Sequence, residues 1–295
     1  TMSQNIILTH QEIEHKIKRI AYQIYETFVD EDEIVIAGIA SNGFIFAKKI
    51  KMPIRKFIYA FFLLTIGISH AQTEKKIDNQ SILWSRYYTI VNLNEKWSLH
   101  SEFDNRLFLK PVTENLFVIR SQVRYKASNS VELGGGLGFF HVATQDPENT
   151  TDFMIPEYRG QQDITWKNTI GKVQLSQRFQ IDERFIRNAS KTELLSGTTF
   201  NWRFRFRIQA EYDLWKKDNR FLKTIVHEEI LLNAGKSIVK NTFDQNRIYA
   251  ALQYGINRKI AIELGYLNSF QQRASGVDYY DRDIIRFSIF HKLKL

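Results

Sequence analysis

The chain has no cysteine among its 295 residues. Disulfides and thiolate metal sites are excluded, and so is a lipoprotein-type anchor, because Gln72 follows Ala71 where a lipidated cysteine would stand. Proline is scarce, with four residues. Pro53 falls in a leader-like segment, while Pro111, Pro147 and Pro156 read as connections, so no strand-like segment is interrupted. Long apolar runs are also missing: residues 57–68 form a run of 12, against about 20 for a membrane-crossing helix. Charge is plentiful but unclustered. The net charge is +9, yet the basic residues are scattered through alternating segments instead of forming one block or one helical face, which argues against nucleic-acid binding.

With 43% apolar residues the chain can build a core or enter a membrane, and the segment MPIRKFIYAFFLLTIGISHAQ divides it in two. Arg55 and Lys56 precede the apolar run, and the small residues Ser69 and Ala71 stand three and one before Gln72. This order predicts a secretory signal peptide over residues 52–71, cleaved between Ala71 and Gln72. Residues 1–51 carry six basic and seven acidic side chains, and residues 72–295 carry 33 and 25, so the two parts differ in kind.

In the first part Ile13, Ile17, Ile20, Ile24 and Phe28 fall at helical spacing behind a Thr9/Glu12 capping box. A short apolar strand, 34–39, and an Ala-Ser-Asn-Gly turn follow. The stretch IVIAGIASNGFIFAKKI resembles the opening of a type I phosphoribosyltransferase. Such an enzyme also needs a second loop, an apolar strand ending in two acids and a Thr-Gly turn that cradles phosphate, and no such sequence follows. Residues 1–51 therefore read as a truncated α/β fragment without transferase activity, ahead of a true start at Met52.

From residue 81 the period changes to two. In FNWRFRFRIQAEY, Phe200, Trp202, Phe204, Phe206, Ile208, Ala210 and Tyr212 share one face and Arg203, Arg205, Arg207 and Glu211 the other. About 11 such segments of ten residues or slightly more occur, with short connections alternating with long ones at 143–156, 183–196, 233–242 and 271–280. A soluble sandwich or lipocalin-like barrel would alternate too. Aromatic residues near strand ends (Trp84, Trp97, Trp166, Tyr212, Tyr266) on the apolar face, and charge along whole strands on the other, favour the membrane. The expected fold is all-β, an antiparallel up-and-down transmembrane β-barrel. The expected count is 12 strands, with 10 as the alternative and the missing strand sought at 72–80 or 213–221, because bacterial single-chain barrels have even numbers.

The segments QRFQIDERF, FRFRIQAEY, VHEEILLN, FDQNRIYAALQYGI and IELGYLNSF are similar to those of the domain of unknown function 2490 family, over residues 81–295. That resemblance implies an outer-membrane β-barrel of a Gram-negative bacterium, in contact with outer-membrane lipid and with barrel-assembly machinery, and implies no activity. No cofactor is expected and no oligomeric state is assigned. On the strand pattern, the residues facing the lumen are His100, Glu102, Asp104, Arg106, Arg120 and Arg124, then Asp163, Arg178 and Asp182, then Arg203, Arg205, Arg207 and Glu211, and finally Glu229, Arg247, Glu263 and Arg286. They read as an interlocked network nearly filling the lumen, or as a narrow polar pore favouring anions. An outer-membrane lipid-modifying enzyme is the alternative. His141 with Asp146, or His227 with Glu228 and Glu229, could supply a base, but neither has a motif-defined serine. The seven histidines show no metal-ligand spacing in the barrel part, and Gly134, Gly135, Gly136 and Gly138 read as a kink in the wall.

Overall fold

The computed structural model describes residues 75–295 apart from Asn149, Asp152, Lys191, Val239 and Leu295. The expected α/β fragment, the expected leader and its expected Ala71/Gln72 junction lie outside the described residues. Within them the chain forms strands β1 (Ile77–Asn92), β2 (Trp97–Leu109), β3 (Val112–Lys126), β4 (Val131–Val142), β5 (Ile155–Ile170), β6 (Val173–Ala189), β7 (Leu194–Lys217), β8 (Arg220–Ala234), β9 (Phe243–Gly255), β10 (Ile260–Gln272) and β11 (Tyr279–Lys294). Each strand pairs antiparallel with its neighbour in sequence, and β1 pairs with β11 to close a barrel. That last pairing is parallel, from Ile77 opposite Tyr279 to Asn92 opposite Lys294. An odd number of up-and-down strands leaves the first and last running the same way, so closure can only be parallel. It leaves no edge with unpaired N–H and C=O groups.

The strand count differs from the expected 12. Residues 77–80 begin β1, and residues 213–221 are the tip of the β7–β8 hairpin, so neither place holds a further strand. Two other expectations are corrected. Pro156 is not in a connection but is the second residue of β5, near the strand end, where a missing N–H costs least. The long connection expected at 183–196 shrinks to residues 190–193, because β6 runs on to Ala189 and β7 begins at Leu194.

Five short connections gather at one end of the barrel. In three of them a side chain replaces missing backbone partners: Asn94 Oδ1 accepts from the N–H of Lys96 and Trp97, both at 2.9 Å. Asn257 Oδ1 serves Lys259 and Ile260 at 2.8 and 2.9 Å, and Ser128 Oγ serves Ser130 and Val131. The two-residue turn 171–172 needs a left-handed residue, and Gly171 supplies it with φ 58°. The longer connections 143–154, 235–242 and 273–278 lie at the opposite end.

The outer wall is apolar. Leu137, Ile208, Val226, Ile248 and Ile285 are exposed along its middle. Aromatic rings stand on both sides of that band. Trp97, Trp166, Tyr212 and Trp215 are exposed toward the short-turn end, and Tyr158, Phe185, Phe200 and Trp202 toward the other. Rings contact each other across strands, as Trp97 does Tyr125 at 4.6 Å and Phe185 does Phe200 at 5.0 Å, each pair worth about 0.5–1.5 kcal/mol beyond its area. Trp84 is the exception among the aromatics expected outside. It is 5% exposed, and Arg106 and Arg286 lie over its ring at 3.6 and 5.2 Å, inside the barrel.

Candidate functional site: the charged barrel interior

The period of two that makes the outer wall apolar carries the charges inward. Each carboxylate there is shared by more than one donor or held by a close partner. Glu102 accepts two bonds from Arg120, at 2.9 and 2.7 Å, and lies 3.6 Å from Arg86. Glu157 is clamped by Arg159 (2.6 and 3.0 Å) and Arg184 (2.5 and 3.1 Å). Asp163 pairs with Arg124 at 2.7 Å, and Arg124 also meets Glu132. Asp182 accepts from Gln161 and Gln180 and faces Arg205 and Arg159 at 3.6 and 3.9 Å. Glu229 takes Arg178 at 2.6 Å, Arg205 at 3.0 and 2.9 Å, and Arg247 at 3.6 Å. Glu263 holds Arg286, Tyr249 and Gln253 at 3.0, 2.7 and 2.9 Å. Asp104 meets Arg106 at 3.2 Å, Arg203 meets Asp244 at 2.9 Å, and Glu211 meets Lys223.

Glycines on the inner face make room for these side chains. A Cβ on Gly134 would stand 2.3 Å from Asp163 Oδ2 and 3.1 Å from Arg124 Nη1, and one on Gly265 would stand 2.3 Å from the Tyr249 hydroxyl. The glycines of β4 thus lie in a strand whose inner face is crossed by an ion pair.

Long side chains do not fill the lumen completely. A cavity of about 750 Å³ reaches from mid-barrel to the short-turn end, where Asn129, Ser130, Asn168 and Thr169 border it. A smaller one of about 260 Å³ lies toward the long-loop end. Trp84, Arg120, Arg205 and Arg247 line both and form the waist between them. The smaller cavity is bordered by Gln145 of the 143–154 connection. Its Oε1 accepts from Arg282 Nη2 at 2.9 Å and Asn115 Nδ2 at 3.4 Å, and its carbonyl from Gln80 at 2.8 Å. That connection is tied to β1, β3 and β11 at the barrel mouth.

Residues 82–280 match the family described as Protein of unknown function (DUF2490). The chain belongs to that family. A phosphoribosyl transferase domain matches residues 3–88, further than the 51 residues of the sequence resemblance. Its last part falls on β1, a strand of the barrel. A search of curated proteins finds no match.

In this DUF2490 barrel every residue expected at the lumen lies on an inward-facing strand position, and all but Asp163 and Asp182 border one of the two cavities. Those two are buried behind the lining. Sequence reasoning missed Arg86, Glu157, Arg159, Arg184, Asp244 and Arg282. Strand parity could have found most of them: Glu157 and Arg159 share a face with Asp163, and Arg184 with Asp182.

The two expected histidine sites separate. His141 follows the inward Phe140 and takes the outward face, its ring 5.8 Å from Phe139. His227 points inward against Tyr249, while Glu228 takes the opposite face and accepts from Asn246 at 2.9 Å. The serine–histidine contact found instead is Ser98 Oγ with His100 Nε2 at 2.9 Å, and His100 Nδ1 meets the Tyr88 hydroxyl at 2.7 Å. Among the described residues no group of acids and histidines is placed to hold a metal ion.

Proposed function

We propose that this DUF2490 chain is an outer-membrane β-barrel whose lumen is a cationic vestibule, open at the short-turn end and narrowed at the waist, and not a wide pore. One observation carries the reading. The distribution of side chains is inside-out relative to a soluble barrel, with an apolar wall between two aromatic belts outside and buried Arg–carboxylate pairs inside. Closure supports it, since in hydrocarbon each unpaired backbone group costs several kcal/mol. Eleven strands also stand between the eight that side chains fill and the sixteen or more that leave a water channel. On this reading residues 52–71 direct export and are removed before Gln72, outer-membrane lipid surrounds the wall, and assembly machinery inserts the barrel. The fragment before Met52 plays no part.

Intact mass and N-terminal sequencing of protein from outer membranes test this. A start at Gln72 with heat-modifiable gel migration is expected, together with no large steady conductance in planar bilayers. Full-length protein in the soluble fraction, or nanosiemens steps, would overturn it.

The Ser98–His100–Tyr88 chain, of which His100 and Tyr88 line the vestibule, supports a second reading, hydrolysis of an ester. A tyrosine stands where a carboxylate would stabilise the imidazolium, so activation of Ser98 would be weak. Ester turnover by the extracted barrel that survives Ser98→Ala removes that reading.

A further inference from the structure

We infer that the vestibule holds a specific oxyanion site, centred on Arg207, that takes a phosphate group. The inference rests on the reading of the lumen as a solvent-reached vestibule and goes beyond it by naming residues and ligand chemistry.

Three adjacent strands place six inward side chains in two rows. Register sets Arg178 of β6 opposite Arg207 of β7, and Arg207 opposite Glu229 of β8. The next row toward the short turns is Ser176, Gln209 and His227. All six line the larger cavity. Like charges directly opposite on a sheet repel, so the Arg178–Arg207 pair needs a counter-charge. Glu229 is the available carboxylate, and it is already taken by Arg178, Arg205 and Arg247.

Arg207 is left over. Its Nε is buried with no hydrogen-bond partner, and among the described residues no carboxylate comes within ion-pair distance of its guanidinium. Diagonally across from it, one row nearer the short turns, His227 is 8% exposed with a buried Nδ1 that also has no partner. A guanidinium and an imidazole that line one cavity, with a hydroxyl and an amide alongside, match the oxygens of a phosphate monoester or inorganic phosphate.

The surrounding charge favours the same ligand. The larger cavity is lined by eleven Lys and Arg side chains and five Glu, so the local potential is positive before any ligand enters. Lys167, Lys223 and Lys292 stand among that lining toward the short-turn mouth. An anion entering from that side meets these ammonium groups first, Lys167 paired with Glu132 and Lys223 with Glu211, and the guanidinium of Arg207 last.

The test uses the folded barrel in detergent in a low-chloride buffer, with calorimetric titration of inorganic phosphate and, separately, dihexanoyl phosphatidic acid. Saturable 1:1 phosphate binding is expected, weakened at least tenfold by Arg207→Gln and about threefold by His227→Gln. Arg282→Gln, in the other cavity, should leave it unchanged. Arg207→Lys keeps the charge without the fork and should fall between wild type and Arg207→Gln, which keeps the test open if the glutamine variant does not fold. Tighter binding of the lipid than of inorganic phosphate, still lost in Arg207→Gln, assigns the site to a headgroup. An absence of saturable binding by a barrel that migrates as folded overturns the site. So does binding that Arg207→Gln leaves intact. Neither result touches the membrane reading, which fractionation and conductance decide.

Discussion

Replacing Glu229 by glutamine is the most informative single change to the interior. The carboxylate is 3% exposed and lies within 2.6 to 3.6 Å of Arg178, Arg205 and Arg247. Glutamine keeps the size and one acceptor but removes the charge that three guanidinium groups share. Breaking a buried pair by neutralising one partner costs about 3–5 kcal/mol, because the remaining charge stays out of bulk water. The lumen is partly hydrated, which places the expected loss for Glu229→Gln toward the lower figure. Glu211→Gln is the internal comparison. Its pair with Lys223 is about one-fifth exposed on both sides, 22% and 20%, against 4% for Glu229, and joins one carboxylate to one ammonium near the mouth, so the loss on neutralising it should be smaller. Urea unfolding of the barrel from lipid vesicles, followed by tryptophan fluorescence and by the heat-modifiable gel band, measures both. A Glu229→Gln loss no larger than that of Glu211→Gln would refute the reasoning that one carboxylate neutralises the three arginines.

Three further outcomes are expected. Trp84→Ala should widen the waist between the cavities, giving resolvable, anion-preferring current in planar bilayers where wild type gives little; unchanged current would place the constriction elsewhere. Gly136→Ala should destabilise the barrel by about 1–3 kcal/mol, since the added Cβ would stand 2.1 Å from the Ser121 carbonyl oxygen and 2.6 Å from Gln122 Cα. Gly135→Ala, with open space around it, should be near neutral in the same urea titration, and equal effects would contradict the packing argument. Asp278, in the 273–278 connection, is held below the usual carboxylate range by the Ser275 hydroxyl and the Lys76 backbone N–H. Its contribution is therefore present above the ordinary aspartate pKa and lost as pH falls through the depressed value. Protection of the Lys76 amide, corrected for intrinsic exchange, should drop on acidification, and at higher pH in Ser275→Ala than in wild type; protection independent of pH would remove the link.

The inward list was legible in the sequence because strand periodicity is strict. Once Arg203, Arg205 and Arg207 are seen to alternate with Trp202, Phe204 and Phe206, one face must be polar and the other apolar, and the same rule reaches Arg120 with Arg124 and Glu263 with Arg286 across the sheet. The same parity puts Glu157 and Arg159 on the face of Asp163, and Arg184 on that of Asp182. It outranks residue type as well, because an aromatic ring near a strand end is outward only when its position is. Trp84 shares its face with Arg86 and Tyr88, and the alternation should have placed it inside.

The sequence by itself determined the class of fold, the two faces of each strand, the absence of disulfides and the family. These are local properties, set by the two-residue repeat and by composition. Only the tertiary structure decided that eleven strands close through a parallel pairing of β1 with β11, because strand number and register depend on which backbone edges meet. It alone decided which carboxylate serves which arginine. Glu229 is claimed by residues from β6, β7 and β9, so the isolation of Arg207 arises from competition across strands that no single stretch of sequence contains.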